Sequence, residues 1–257
     1  LTIPSDYTAE CSDAHPMDAA SATDNCGEVT IDVVETTIAG ACAGDYTITR
    51  EFTATDDCGN ATSATQTITI IDTTAPEINI PADYTAECSD NHPMDDATAT
   101  DNCGTVVSLI LSENTTQGLC AGDYTITRTW TATDDCGNIS SASQTITIID
   151  TTAPVFTGIP GDYTAECSET HPMDAASATD NCGEVTIDVV ETTLPGACAG
   201  DYTITREFTA TDDCGNATSA TQTITIIDTT SPVLTIPADY TAECSDAHPM
   251  DAASATD

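Results

Sequence analysis

The phrase Asp-Tyr-Thr-Ala-Glu-Cys opens at Asp6, Asp83, Asp162 and Asp239, so one pattern is copied at steps of 77, 79 and 77 residues. A fixed period of this kind means a tandem array of small domains. The copies are read as 1–74, 75–152, 153–230 and 231–257. The first lacks its lead-in, and the fourth stops before the Asn-Cys-Gly that follows Asp24, Asp101 and Asp180. The chain is therefore expected to be a window on a longer array.

Forty-three acids stand against three arginines and no lysine, a formal charge of -40. Such a chain repels nucleic acid and anionic membrane and attracts divalent cations. Neither nucleic acid nor membrane insertion is expected. A hydrophobic fraction of 39%, carried by Val, Ile and Tyr in alternation with Thr, is too high for an acidic disordered tail.

Each complete copy carries four cysteines, and no Cys-x-x-Cys occurs, which argues for disulfides in an oxidising compartment and against a structural zinc site or redox dithiol. From Gly44 to Asp57 the chain alternates without a turn signal, so it reads as one strand. At about 3.3 Å per residue such a strand holds Cys42 and Cys58 roughly 40 Å apart, far beyond the roughly 7 Å that a bridge spans. The run Glu28 to Thr37 separates Cys26 from Cys42 in the same way. Within one copy this leaves first-to-third and second-to-fourth pairing. The expected bridges are Cys11 with Cys42, Cys26 with Cys58, Cys88 with Cys120, Cys103 with Cys136, Cys167 with Cys198, and Cys182 with Cys214; Cys244 is left over. Strand parity puts Cys26 and Cys58 at the pole that receives the previous domain, and Cys11 and Cys42 at the opposite pole. Short reversing strands with Gly and Asn turns and no helical period predict an all-β fold: tandem immunoglobulin-like β-sandwiches forming an elongated rod.

Thr-Asp-Asn-Cys-Gly (Thr23 to Gly27), Thr-Ala-Thr-Asp-Asp-Cys-Gly-Asn (Thr53 to Asn60) and the inter-copy Asp-Thr-Thr-Ala-Pro (Asp72 to Pro76) resemble the hyalin-repeat family, closest to its four-cysteine HYR-like domain. The resemblance covers the whole chain. It implies an extracellular immunoglobulin-like sandwich and a place in adhesins and surface filaments of Bacteroidota. Parent hyalin repeats usually carry fewer cysteines in other places, so their bridges do not transfer.

The same parity brings Asp101, Asn102, Asp134, Asp135 and Asn138 to the pole of the second copy that receives Asp72. The third copy repeats the set with Asp150, Asp180, Asn181, Asp212, Asp213 and Asn216, and Asp24, Asp56 and Asp57 are the first-copy counterparts. Hard oxygen donors of this type fit calcium, which takes six to eight oxygens. The competing reading is that Asp, Asn and Gly form turns, with the carboxylates bonded to their own loop backbone. The linker has no Gly/Ser stretch, so a stiff joint is expected. Thr73, Thr151 and Thr229 resemble an O-glycosylation signal of Bacteroidota; extended backbone explains linker threonines equally well.

Arg50, Arg128 and Arg206 share phase with the apolar residues of their strands, where a lone cation calls for a carboxylate or an aromatic neighbour such as Phe52 or Trp130. The single histidine per copy (His15, His92, His171, His248) has no nearby nucleophile, and the acids lie at junctions instead of in a cleft, so no enzyme activity is expected. These readings converge on a calcium-stiffened stalk or filament segment of a secreted surface adhesin. Its partners would be neighbouring repeats and laterally or end-to-end associated copies. Rows of outward threonines (Thr47, Thr49, Thr53, Thr55) keep a glycan- or ice-binding surface module as the second reading.

Overall fold

The computed structural model describes residues 1–247 and 250–257; His248 lies outside the described residues. Among the described residues every regular element is a strand, and no helix is long and apolar enough to cross a membrane.

The first repeat contributes β1 (Tyr7–Glu10), β2 (Val29–Ala39), β3 (Tyr46–Asp56) and β4 (Ala61–Ile71). They form one sheet in the order β1-β4-β3-β2. The two long runs read as single strands are single strands. Strands β2, β3 and β4 pair antiparallel, whereas β1 runs parallel to β4 with Tyr7 opposite Ile68. Parallel pairing follows from the four reversals, an even number, between the first and last of the five strand runs of a copy. The second face is thin: an isolated bridge joins Thr2 to Ser21.

The second repeat adds β5 (Glu77–Asn79), β6 (Tyr84–Glu87), β7 (Thr98–Thr100), β8 (Val106–Gln117), β9 (Tyr124–Asp134) and β10 (Ile139–Ile149). Its sheet is ordered β6-β10-β9-β8, and β5 pairs with β7 to make the opposing layer of the sandwich. The third repeat repeats this plan with β11 (Val155–Gly158), β12 (Tyr163–Glu166), β13 (Ser177–Thr179), β14 (Val185–Pro195), β15 (Tyr202–Asp212) and β16 (Ala217–Ile227), followed by the short pair β17 (Val233–Thr235) and β18 (Ser254–Thr256).

The alternation that predicted the strands also fills the cores. Along β3 the inward side chains are Ile48, Arg50, Phe52 and Ala54, and β4 supplies Gln66, Ile68 and Ile70. Arg50 is opposite Glu35 on β2 and Gln66 on β4, so the three form one cross-strand row. Its Nε donates to Glu35 at 2.9 Å, and its Nη1 donates to the Asp18 carbonyl at 2.9 Å and to Gln66 at 3.1 Å. The guanidinium also lies 4.9 Å from the Phe52 ring centroid. Arg128 and Arg206 repeat the arrangement over Trp130 and Phe208. A buried cation is tolerated because its donors are used and its face is stacked. Tyr7, Tyr84 and Tyr163 each donate to the proline carbonyl of the His-Pro-Met loop, fastening that loop to the sheet.

The chain divides into two compact units, which differ from the four-copy partition. One comprises Leu1–Leu119 with Asp123–Ile149; the other comprises Cys120–Gly122 with Asp150–Asp257. The first unit therefore holds two repeats and the joint between them.

Candidate functional site: the joint between repeats

The disulfides overturn the expected pairing. Within the first unit Cys11 bonds to Cys103 and Cys42 bonds to Cys136, with Cα atoms 5.8 and 5.0 Å apart. Within the second unit Cys120 bonds to Cys214, Cα atoms again 5.0 Å apart. Cys88 and Cys182 are also disulfide-bonded. Cys26, Cys58, Cys167, Cys198 and Cys244 are free thiols. Of the predicted bridges, Cys11–Cys42, Cys103–Cys136, Cys88–Cys120 and Cys182–Cys214 give way to first-to-second (Cys11–Cys103) and third-to-fourth (Cys42–Cys136, Cys120–Cys214) bonds between successive repeats, and Cys26–Cys58 and Cys167–Cys198 do not form. Strand length correctly holds Cys42 away from both Cys26 and Cys58. The error lay in closing the bridges inside one copy. Cys11 and Cys42 share a pole, but that pole is a joint where the nearest sulfurs belong to the next repeat.

Hydrogen bonds complete the joint. On the first-repeat side Asp72 N–H donates to Asp45 at 2.9 Å, and Thr73 donates to Glu10 through both its N–H and its hydroxyl. On the second-repeat side Asn138 Nδ2 donates to the Asp72 carbonyl at 3.1 Å and to Asp134 at 2.9 Å. Ser140 donates to the carbonyl of buried Pro76. Asp135 accepts from Ala43 N–H of the first repeat at 2.9 Å and from Thr105 N–H of its own at 3.1 Å. That approach needs Gly104, since a Cβ there would lie 2.2 Å from Asp135 Oδ1. Gly137, at φ +91°, turns the chain so that Asp134 can cap the Cys136 and Asn138 N–H groups. In the second unit Ala121 N–H donates to Asp213 and Asn216 donates to the Asp150 carbonyl, the same contacts one repeat on.

The carboxylates fall into two kinds. Asp134 is buried, which pushes its pKa up, but donors from Asn138, Cys136 and Gly137 outweigh burial and hold it below the ordinary range; Asp212 behaves alike. Asp135 is held down by the Ala43 and Thr105 N–H groups, and Asp56 by Asn60. These are turn-building and joint-building acids. Asp72 differs: burial raises its pKa, and the charges of Asp101, Asp134 and Glu10 add to the rise. Its Oδ1 accepts from Thr74, whereas its Oδ2 and Asp101 Oδ2 are buried without hydrogen-bond partners.

Of the other predicted ligands, Asp24, Asp101 and Asp180 accept from the N–H of the following cysteine, and Asn102 and Asn181 donate to cysteine sulfur. Asp57 stands beside Gly27, and Asp150 caps Thr152 N–H. Thr73, Thr151 and Thr229 are exposed, but the hydroxyls of Thr73 and Thr229 are engaged by Glu10 and Glu166. Sequence reasoning missed Glu10 and Asp45. The available signal was that both stand in every complete copy immediately beside the phrases carrying the first and third cysteines.

Residues 76–148 match the family model described as HYR-like domain with 4 cysteines. No curated protein matches the chain. Solved structures similar to it include the protocadherin gamma B4 extracellular domain (16% identity, TM-score 0.32, 82% of this chain and 46% of that one). Others are the human desmocollin-1 ectodomain (12%, 0.27, 90% and 62%) and Drosophila N-cadherin EC1-4 (12%, 0.27, 92% and 78%). The chain spans less than half the length of the first of these.

Proposed function

We propose that this chain is a stalk or filament segment of a secreted or cell-surface adhesin, made of repeats 1–74, 75–152, 153–230 and the start of another at 231–257. The observation that carries the reading is the double staple. Cys11–Cys103 and Cys42–Cys136 fix two separated points of one repeat to two points of the next, and a joint held at two points resists hinging. A disulfide-stapled sandwich array belongs in an oxidising, extracellular setting. The HYR-like match over 76–148 and the acidic surface agree with a surface module of Bacteroidota type.

Calcium enters this reading in a narrower form than the sequence suggests. Asp134 and Asp135 are committed to backbone N–H groups, so a cation would be held through Asp72 Oδ2 and Asp101 Oδ2, relieving a buried charge. It would tighten a joint already closed by sulfur. Small-angle scattering on the oxidised chain, with and without calcium and after reduction, tests both parts. Reduction is expected to shorten the maximum dimension and chelation to change it little; a rod equally extended after reduction would refute the staple reading. Thermal melts separate the cation: calcium should stabilise the wild type and not Asp72→Asn, and equal melting of the wild type with and without calcium would remove the ion.

A further inference from the structure

The outward face of the long-stranded sheet carries acids in the first and third repeats and none in the second. In the first repeat Asp32 on β2, paired with Thr53, and Glu51 on β3 are both exposed on that face. Asp188, paired with Thr209, and Glu207 repeat them in the third. The second repeat has Ile110, paired with Thr131, and Thr129 at those places, so no charged side chain points outward from β8, β9 or β10. The Thr129 and Thr131 hydroxyls are engaged with those of Ser143 and Ser141 at 2.9 and 3.2 Å. In a chain of formal charge -40 this face is a neutral strip.

The strip ends at an open edge. β8 is last in the order β6-β10-β9-β8, so among the described residues one row of backbone N–H and C=O groups along its 12 residues has no strand beside it. Such an edge is a template for another strand, and folded proteins blunt it with charge, Lys or Pro. β2 and β14 carry the exposed Asp32 and Asp188, whereas β8 has neither Lys nor Pro and is apolar on both faces. Ile110, outward, is 63% exposed; Leu109 and Leu111, inward beside buried Ala132 and Trp130, are 36 and 37% exposed. The acids nearest the inner face, Glu113 and Asp96, stand 2.8 and 4.0 Å from Arg128.

We propose that two copies of this chain pair laterally through β8, antiparallel about Ile110, so that their four-stranded sheets become one. In that register Ile110 meets its own counterpart, Leu109 faces Leu111, and Ser108 faces Ser112. Side chains keep their faces, because a two-fold about a residue preserves the alternation of the strand. The same register about Asp32 or Asp188 would set two aspartates directly opposite, which destabilises a strand pair. The first and third repeats are thereby guarded, and the second is not. The occupant is a second copy because two chains of charge -40 repel wherever their acids meet, which leaves them the neutral strip, and because the register about Ile110 is self-complementary. A basic partner would instead be drawn to the acid-bearing faces. Contact over residues 106–114 lies at the low end of interface size, so the pair exchanges with monomer. This rests on the filament reading and gives it a lateral contact; the two fail separately, since Cys11–Cys103 and Cys42–Cys136 persist whether or not copies pair.

The test is sedimentation equilibrium of the oxidised 257-residue chain with its free thiols alkylated, joined to amide hydrogen exchange at low and high protein concentration. A dimer is expected whose fraction grows with concentration and with salt, because salt screens the repulsion between the two acidic chains. Exchange should slow along β8 on dimerisation and stay unchanged along β2 and β14. Ile110→Asp installs the residue that the other repeats already carry at this position, so the fold should hold while the dimer dissociation constant rises at least about tenfold. In the opposite direction, Asp32→Ile with Glu51→Thr gives the first repeat the same neutral edge and should extend dimers to larger species. A chain that stays monomeric at every concentration, a dimer indifferent to Ile110→Asp, or protection that falls outside β8 would overturn the proposal. Failure of the first-repeat variant to form larger species would overturn it too, since charge would then not be what guards the edge.

Discussion

Replacing Cys42 and Cys136 together by serine removes one of the two staples of the first unit, and the loss can be worked from the connectivity. The bridge spans 94 residues, but with Cys11–Cys103 intact it closes a ring of only roughly 60 residues in the unfolded chain. Restricting a loop of that size stabilises the folded state by about 4 kcal/mol. Removing Cys11 and Cys103 as well frees a loop of about 90 residues and adds about 4.5 kcal/mol more. The total approaches the roughly 5–15 kcal/mol that stabilises a whole domain. The cores have little with which to compensate, since the first repeat fully buries only one aromatic ring, Phe52, among a few aliphatic residues. The assay is urea unfolding with free thiols blocked, followed through Trp130, the single tryptophan, which is buried in the second repeat. With a urea slope of about 2 kcal/mol/M, the double variant should lose about 2 M in midpoint, and the quadruple variant should be unfolded or nearly so. A double-variant loss below about 0.5 M would refute the reasoning, because the bridge would then not be restricting the unfolded chain.

Two further outcomes are expected. Arg128→Met removes donors to Glu113, Gln144 and the Asp95 carbonyl and should cost about 3 kcal/mol in the same assay; a loss under about 1 kcal/mol would mean that the half-exposed Glu113 and water replace the cation. Asp134 and Asp212, held below their unfolded value of 3.8, contribute stability that is present above that value and lost as pH falls through their depressed folded values. Asp72, raised above 3.8, has the opposite sign: its contribution is present below 3.8 and lost as pH rises through its folded value. Urea midpoints measured in chelator from about pH 3 to about pH 7 should therefore fall at the acid end, and Asp72→Asn should remove the opposing loss on the way up; an Asp72→Asn profile parallel to wild type would show that burial does not perturb this carboxyl.

The strands were legible because alternation is a local property. The run from Tyr46 to Asp56 reads inward-outward without a break, and the same phase that buries Phe52 buries Arg50, so its need for a carboxylate could be anticipated, though not that Glu35 supplies it. The poles were legible too, since strand length fixes which cysteines share an end. What sits across a pole was not. The distance from Cys11 to Cys103 depends on the path of Asp72 to Pro76, and that path is set by Asn138, Ser140 and Asp45 bonding to linker backbone groups that carry no sequence signal. The acids were ambiguous for a related reason. Asp134 as a ligand and Asp134 as a cap of Cys136 and Asn138 N–H groups call for the same residues at the same spacing, and only the donors' positions separate them.

Non-reducing peptide mapping of the oxidised chain tests the joint most directly. The account predicts Cys42–Cys136, Cys11–Cys103 and Cys120–Cys214 as dominant species, with every bridge joining one repeat to the next. Recovery of Cys11–Cys42 with Cys103–Cys136 instead would place the sulfur inside each repeat, leaving only hydrogen bonds at the joint and contradicting the stapled stalk.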